Sequence, residues 1–429
     1  MQGKKSFLKS SGLAFAARVI GAASGICMTF VISTNLAVDQ AGLFFFAFAI
    51  FTVLGTLSTL GLTTAFIRFI GGFLAENNWG VINGVFRAGF KATLLIACLC
   101  AVLLYVVSSQ FGHMLFESAG LHSVLAAFAL GIPCFALYQL LGYAFQGVHK
   151  PLISAFVLNI STQLLVILTL VVAIAFGVVL SAANVAAVFS IGAFITLVIG
   201  LWYWIKQGHW HIKADYSQQG ALVESAKPLC TVMVMMLLVQ WSGQLIAGGF
   251  LPAEEIAFLS VAMRLGALTS FVLVAVNMVA APRFAASAKL NNNDDLRAAS
   301  LFCTRIMVSV ATPILIFVLL FAEFLMGLFG EEYRQGADLL RIFVVGQFVN
   351  VVTGSVGYLL NMTGHEKDMR NLVFFTGPLA LVLGFILTPL YGATGAAFST
   401  AIAIGSQNLL AVYMVKKRLG FNTLNFINQ

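Results

Sequence analysis

Residues 87–108 read RAGFKATLLIACLCAVLLYVVS, and after Lys91 no Asp, Glu, Lys or Arg occurs until Glu117. A run of roughly 18 or more apolar residues is long enough to cross a hydrocarbon core about 30 Å thick. In lipid the backbone must satisfy its own hydrogen bonds, which only a helix or a closed barrel achieves. Barrel strands alternate apolar and polar residues over about ten positions, whereas this run is apolar on every side. The stretch predicts a membrane-spanning helix.

The same reading carried along all 429 residues predicts about twelve spans, near 12–34, 42–66, 88–108, 123–145, 152–176, 183–205, 228–250, 256–280, 300–321, 337–361, 372–390 and 393–415. Composition agrees: 60% of residues are hydrophobic and 9% charged, against about 25% charged in an ordinary soluble domain. Mean hydropathy is +0.99. The chain reads as an all-α polytopic membrane protein.

The cations fall in every second gap. Lys4, Lys5 and Lys9 precede the first span, Arg68, Arg87 and Lys91 flank the second loop, and Lys150 lies in the fourth. Lys206, Lys213 and Lys227 flank the sixth loop, and Arg283, Lys289, Arg297 and Arg305 the eighth. Lys367 and Arg370 lie in the tenth, and Lys416, Lys417 and Arg418 follow the last span. Nineteen of the 23 Lys and Arg residues thus share one side, only Arg334 and Arg341 take the other, and Arg18 and Arg264 sit inside spans. A Lys/Arg bias across short loops sets orientation, so both termini are expected in the cytoplasm. The net charge of +8 reports topology and predicts no nucleic-acid partner, because its cations are scattered. The first apolar run exceeds twenty residues and contains Arg18, so it reads as an uncleaved helix and not as a signal peptide.

No loop is long enough for a soluble domain, and no Walker-A loop, H-E-x-x-H or triad pattern occurs. No catalytic residue, metal site or cofactor is expected. His209 and His211 alternate in the longest loop and read as solvated. The six cysteines, Cys27, Cys98, Cys100, Cys134, Cys230 and Cys303, lie in or beside spans without metal-ligand company, and predict no structural disulfide.

The longest inner loop, near 206–227, divides the chain into six-helix lobes, 1–212 and 213–429. Asp39, Arg68-Phe69 and Asn77-Asn78 in the first lobe are echoed, 215 residues on, by Glu254, Arg283-Phe284 and Asn292-Asn293 in the second. Gly147-x-x-Lys150 returns as Gly364-x-x-Lys367. Six is even, so both copies start on the same side and the repeat is parallel.

Particular residues carry a family resemblance: Ala41-Gly42-Leu43-Phe44 through Leu60-Gly61-Leu62 to Arg68-Phe69, Gln146-Gly147-x-x-Lys150-Pro151, Asn361-x-x-Gly364-x-x-Lys367, and Tyr391-Gly392-Ala393-Thr394-Gly395-Ala396-Ala397. Together they resemble the polysaccharide flippases of the Wzx (O-antigen) type, grouped with MATE multidrug exporters and lipid II flippases in the MOP superfamily. The resemblance implies two pseudo-symmetric six-helix lobes around a central cavity lined by the first, second, seventh and eighth helices. It also implies a bacterial inner-membrane location and a cargo, an undecaprenyl-diphosphate-linked oligosaccharide moved from the cytoplasmic to the periplasmic leaflet. Membrane lipids and a polysaccharide polymerase complex are the partners implied. The alternative is a MATE-type ion-coupled antiporter of small molecules.

A charge inside a span costs roughly 3 kcal/mol on insertion scales and points to function. Arg18 and Arg264 are candidates for holding the diphosphate, since a guanidinium presents a planar donor fork to phosphate oxygens. Two plainer readings stand beside this. Arg18 has a stem long enough to reach headgroups, and Arg264 has Glu254 and Glu255 near its helix start as structural partners. None of the fifteen acids falls deep in a predicted span. A cation exporter needs a buried carboxylate, so the charge pattern favours an anionic cargo. Gln240 and Gln244 share a helical face beside Trp241, and Asn277 lies near the inner end of the eighth span. Amides and an indole suit sugar hydroxyls and ring faces; amides equally join helices by hydrogen bonds. The latter role is expected for Asn159, Gln163, Gln347, Gln407 and Asn408. Pro133, Pro228, Pro313 and Pro378 fall within spans, where a missing backbone donor loosens a helix.

Overall fold

The computed structural model describes residues 2–115, 120–207, 209–290 and 292–425, and among them every regular element is helical. Eleven segments are long and apolar enough to cross a membrane. One of the eleven is 54 residues long. At 1.5 Å per residue that is about 81 Å, more than twice a hydrocarbon core. The backbone leaves helical geometry inside it at Gly392 (φ 60°, ψ −141°), dividing it into two helices. Only glycine visits that conformation cheaply. With this division the expected twelve spans are all present.

Two compact units are formed, Met1–Val234 and Met235–Gln429. The first holds α1 (Gln2–Asn35), α2 (Val38–Leu57), α3 (Leu62–Ala75), α4 (Trp79–Leu115), α5 (Leu121–Gly147), α6 (Pro151–Ala155), α7 (Ser161–Ala175) and α8 (Ala182–Lys206). A π-helical turn, Phe156–Ile160, joins α6 to α7. The connecting helix α9 (Gln219–Ala247) contributes its first residues here and the rest to the second unit. There it is followed by α10 (Ala253–Ala267), α11 (Phe271–Lys289), α12 (Asn293–Leu320), α13 (Ala322–Gly327), α14 (Ala337–Val352), α15 (Val356–Met362) and α16 (Glu366–Leu419).

Each unit is organised on its fourth span. In the first, α5 packs against α2, α4 and α8; in the second, α14 packs against α10, α12 and α16. The repeat read from charges therefore recurs in packing partners. Lipid tails give helices no solvent-driven reason to associate, so close fit and hydrogen bonds hold them. In the first unit the fit is aromatic: Phe51 packs in tilted geometry at 4.8 Å centroid distance against both Phe128 and Phe135 of α5. Hydroxyls and amides supply the bonds. Thr162 of α7 pairs with Thr196 of α8 at 3.0 Å, Ser270 donates to the Gln347 amide oxygen, and Thr376 donates to Gln407.

One expectation is corrected. The second span is not one helix: its run breaks between α2 and α3, where Leu60 (φ 52°) and Gly61 (φ 73°) turn left-handed. Gly61 lies against the backbone of Cys230, where a Cβ would collide with the Cys230 nitrogen. The Thr59 hydroxyl reaches the Met233 sulfur at 3.7 Å. The first compact unit runs on to Val234, and the loop before α9 is bound to α4. Trp79 stacks on His209 at 3.7 Å, Asn83 donates to the carbonyls of His209 and Ile212, and Arg87 donates to the Trp210 carbonyl and covers its ring at 4.3 Å. Asp215 N–H donates to Gly80. His209 is half-buried beneath the Trp79 indole.

Candidate functional site

In the second unit, α9 carries Gln240, Trp241 and Gln244, α10 carries Arg264 and α11 carries Asn277. Gln244 is buried and its Nε2 donates to Ser260 Oγ at 2.8 Å. That bond sets the register of α9 against α10. Consecutive membrane helices joined by a short turn run antiparallel, so one turn back from Gln244 and one turn on from Ser260 lie at one level. Those positions are Gln240 and Arg264, each on the face its neighbour four residues away defines. Gln240 is exposed, and Trp241 and Arg264 are half-buried. The Gln240/Gln244 face and the Ser260/Arg264 face thus form one polar seam inside a membrane helix pair.

Arg264 lies eleven residues from Ala253, the first residue of α10. At 1.5 Å per residue this is about 16 Å, the middle of a core about 30 Å thick. Arg18 differs. It is exposed and seventeen residues before Asn35, the end of α1, about 26 Å away and so close to the opposite boundary. Within the first unit Arg18 lies near enough to Tyr143 of α5 for the two to interact electrostatically. The flanking small residues explain its helix's closeness to the π-helical turn: a Cβ on Gly21 would sit 2.6 Å from that of Asn159.

Asn277 is 4% exposed, and among the described residues its Oδ1 finds no hydrogen-bond partner. It stands apart from the Gln244–Ser260 bond, on α11. The five polar residues of the second unit therefore resolve into an α9–α10 seam and a separate amide.

Two residues escaped the sequence reading. Ser260 had a signal: it precedes Arg264 by four residues, the same spacing as Gln240 and Gln244. Arg305 was counted as a loop flank, but α12 starts at Asn293 and Arg305 is half-buried fifteen residues before Leu320. That places it about 22 Å from the helix end, within a spanning length. No carboxylate sits comparably deep among the described residues. Asp39, Glu254, Glu255, Asp294, Asp295, Asp338 and Asp368 all occupy first turns of helices, and Glu224 lies five residues into α9. Asp368 is moreover taken by Arg418, whose Nε and Nη2 bind its two oxygens at 2.6 and 2.9 Å. Among the described residues no three His, Cys, Asp or Glu side chains gather as metal ligands.

Comparison with known proteins bears on this arrangement. The family described as polysaccharide biosynthesis protein matches residues 7–288, and the MatE family matches residues 228–386. No curated protein matches the chain by sequence. Among solved structures, the lipid II flippase MurJ in an inward closed conformation aligns with TM-score 0.74 and 14% identity, over 95% of this chain and 87% of that one. An inward-facing multidrug resistance MATE family transporter of the MOP superfamily gives TM-score 0.71 at 14% identity, over 96% and 98% of the two chains. A MOP superfamily transporter from Pyrococcus furiosus, described by the reverse polarity of its binding pocket, gives 0.64 at 14%, over 97% and 96%. At such identities the likeness is one of fold.

Proposed function

The chain belongs to the polysaccharide biosynthesis protein family, and we propose that it is a flippase that carries an undecaprenyl-diphosphate-linked oligosaccharide from the cytoplasmic to the periplasmic leaflet of a bacterial inner membrane. Both its fold and its structural relatives are those of MOP superfamily transporters. The observation that carries the proposal is the sign of the charge inside the membrane. Arg264 lies at mid-depth on α10, and no described acid is comparably deep. A diphosphate is the charged part of such a cargo, and a guanidinium fork meets its oxygens with paired hydrogen bonds.

In this reading Arg264 holds the diphosphate, with Gln240 and Trp241 at its level offered to the adjoining sugar, and Arg18 is assigned to the cargo's negative group from the first unit. Asn277 keeps an acceptor for a sugar hydroxyl. Gln244 acts through its bond to Ser260, fixing the helix that presents Gln240. The chain makes and breaks no covalent bond in this process. It lowers the electrostatic cost of moving an anion through a low-dielectric core. A downstream polymerase that removes the product is the partner in keeping with this role.

Deleting the gene tests the reading. The expected result is accumulation of a lipid-linked repeat unit on the cytoplasmic leaflet and loss of one surface polysaccharide. An intact surface glycan with raised sensitivity to cationic drugs would overturn it in favour of a MATE-type antiporter.

A further inference from the structure

A cavity of about 570 Å³ lies within the first unit, walled by α3, α4 and the first half of α9. One stripe of α9 faces it: Leu222, Ala226, Lys227, Cys230 and Val234 recur at helical spacing. Opposite them α4 presents Ala88 and Ala92, whose side chains are too short to fill the gap. The left-handed turn at Leu60 and Gly61 holds the chain against Cys230 at the cavity's floor, so the walls are fixed apart at one end. Its walls are mainly apolar, with Gln219, Lys227 and Thr231 as the polar side chains and Lys227 as the charged one.

We propose that this cavity binds one hydrocarbon chain of an anionic glycerophospholipid, with the lipid phosphate on Lys227. Three observations carry it. Lys227 is exposed and forms no ion pair among the described residues. Glu224, one turn earlier, is exposed but is not part of the cavity wall. The depth is right: α9 has 29 residues ending at Ala247, and about 20 suffice to cross a bilayer core. Counting those from Ala247 puts Lys227 at the headgroup boundary, with Cys230 and Val234 below it in the hydrocarbon. A space of about 570 Å³ is of the order of a single hydrocarbon chain.

The site shares no residue with the seam of Gln240, Gln244, Ser260 and Arg264 and is tested without measuring transport, so its failure would leave the proposed cargo untouched. Purified full-length protein is equilibrated in detergent with equal amounts of phosphatidylglycerol and phosphatidylcholine, and retained lipid is counted by native mass spectrometry. One phosphatidylglycerol is expected to survive activation that strips phosphatidylcholine. Lys227→Gln should lower that preference about fivefold, the equivalent of about 1 kcal/mol for one basic side chain at an anionic lipid surface, and Lys227→Arg should keep it. Ala92→Trp, which puts an indole into the cavity, should abolish retention of phosphatidylglycerol; an unfolding curve checks that it folds, and the surface change at Lys227 stands independently. Retention unchanged in Lys227→Gln and Ala92→Trp would overturn the site. Displacement of phosphatidylglycerol by an equal amount of polyprenyl phosphate would overturn the assignment to a glycerophospholipid.

Discussion

Arg264 has a charge at mid-membrane, and its replacement separates binding from support. Arg264→Ala is expected to lower transport at least tenfold, about 1.4 kcal/mol or more, while the protein accumulates normally in the membrane. Arg264→Lys should recover only part, since an ammonium keeps the charge and loses the fork. Loss of protein rather than of transport would mean that Arg264 holds the unit together. Gln244 is predicted to behave in the opposite way. Gln244→Leu removes the bond to Ser260, worth about 0.6 kcal/mol in membrane helix pairs, and should lower the unfolding midpoint slightly with transport retained within about twofold. The spacing of Gln240 and Gln244 was legible in the sequence because one helix sets it. Their level against Ser260 and Arg264 was not, because the register between two helices is fixed only by the bond that joins them.

At the level of elements, apolar length identified the spans and could not show where they break. The run 42–66 is unbroken in hydropathy, yet the structure interrupts it between Leu57 and Leu62. The cause is conformational and tertiary, a left-handed pair pressed on another helix, and no count of apolar residues registers it. Gly61→Val is therefore predicted to be severe. A β-branched residue at φ 73° costs roughly 1–2 kcal/mol in backbone strain alone, and its Cβ would also meet the Cys230 nitrogen. Sharply reduced membrane levels and a lower unfolding temperature are the expected readouts. Gly220→Ala is the matched comparison: helical, exposed and with open space around it, it should stabilise by up to about 1 kcal/mol. The Gly392 turn was better marked, because the sequence length from 366 to 419 is too great for one crossing.

For the molecule as a whole, the alternation of cations made the number and repeat of spans readable, while the same charges only imply an orientation. In a variant lacking the six native cysteines, single cysteines at Ser217 and Asn293 are expected to be shielded from an impermeant thiol reagent in intact cells. Ones at Val179 and Gln335, the former 87% exposed, should react. Labelling of Asn293 from outside would reverse the orientation. A long polar loop marks a boundary in composition, and its residues fold onto what precedes them, so that the first compact unit runs on to Val234.

That loop sets a practical rule for engineering the protein. By length, the segment between α8 and α9 would be the natural place to graft a reporter domain or a protease site. Insertions succeed where the interrupted backbone is exposed and makes no bonds of its own. Here the strand of chain from His209 to Asp215 is stitched to α4 through Asn83, Arg87, Trp79 and Gly80. A graft there would unpick the very stretch that fastens α9 to its neighbours, and the resulting fusion would report its own damage. The short connection at Val179, which is 87% exposed and lies just past the Gly177 and Val178 N–H bonds that close α7, is the better seat for such a graft despite being the smaller loop.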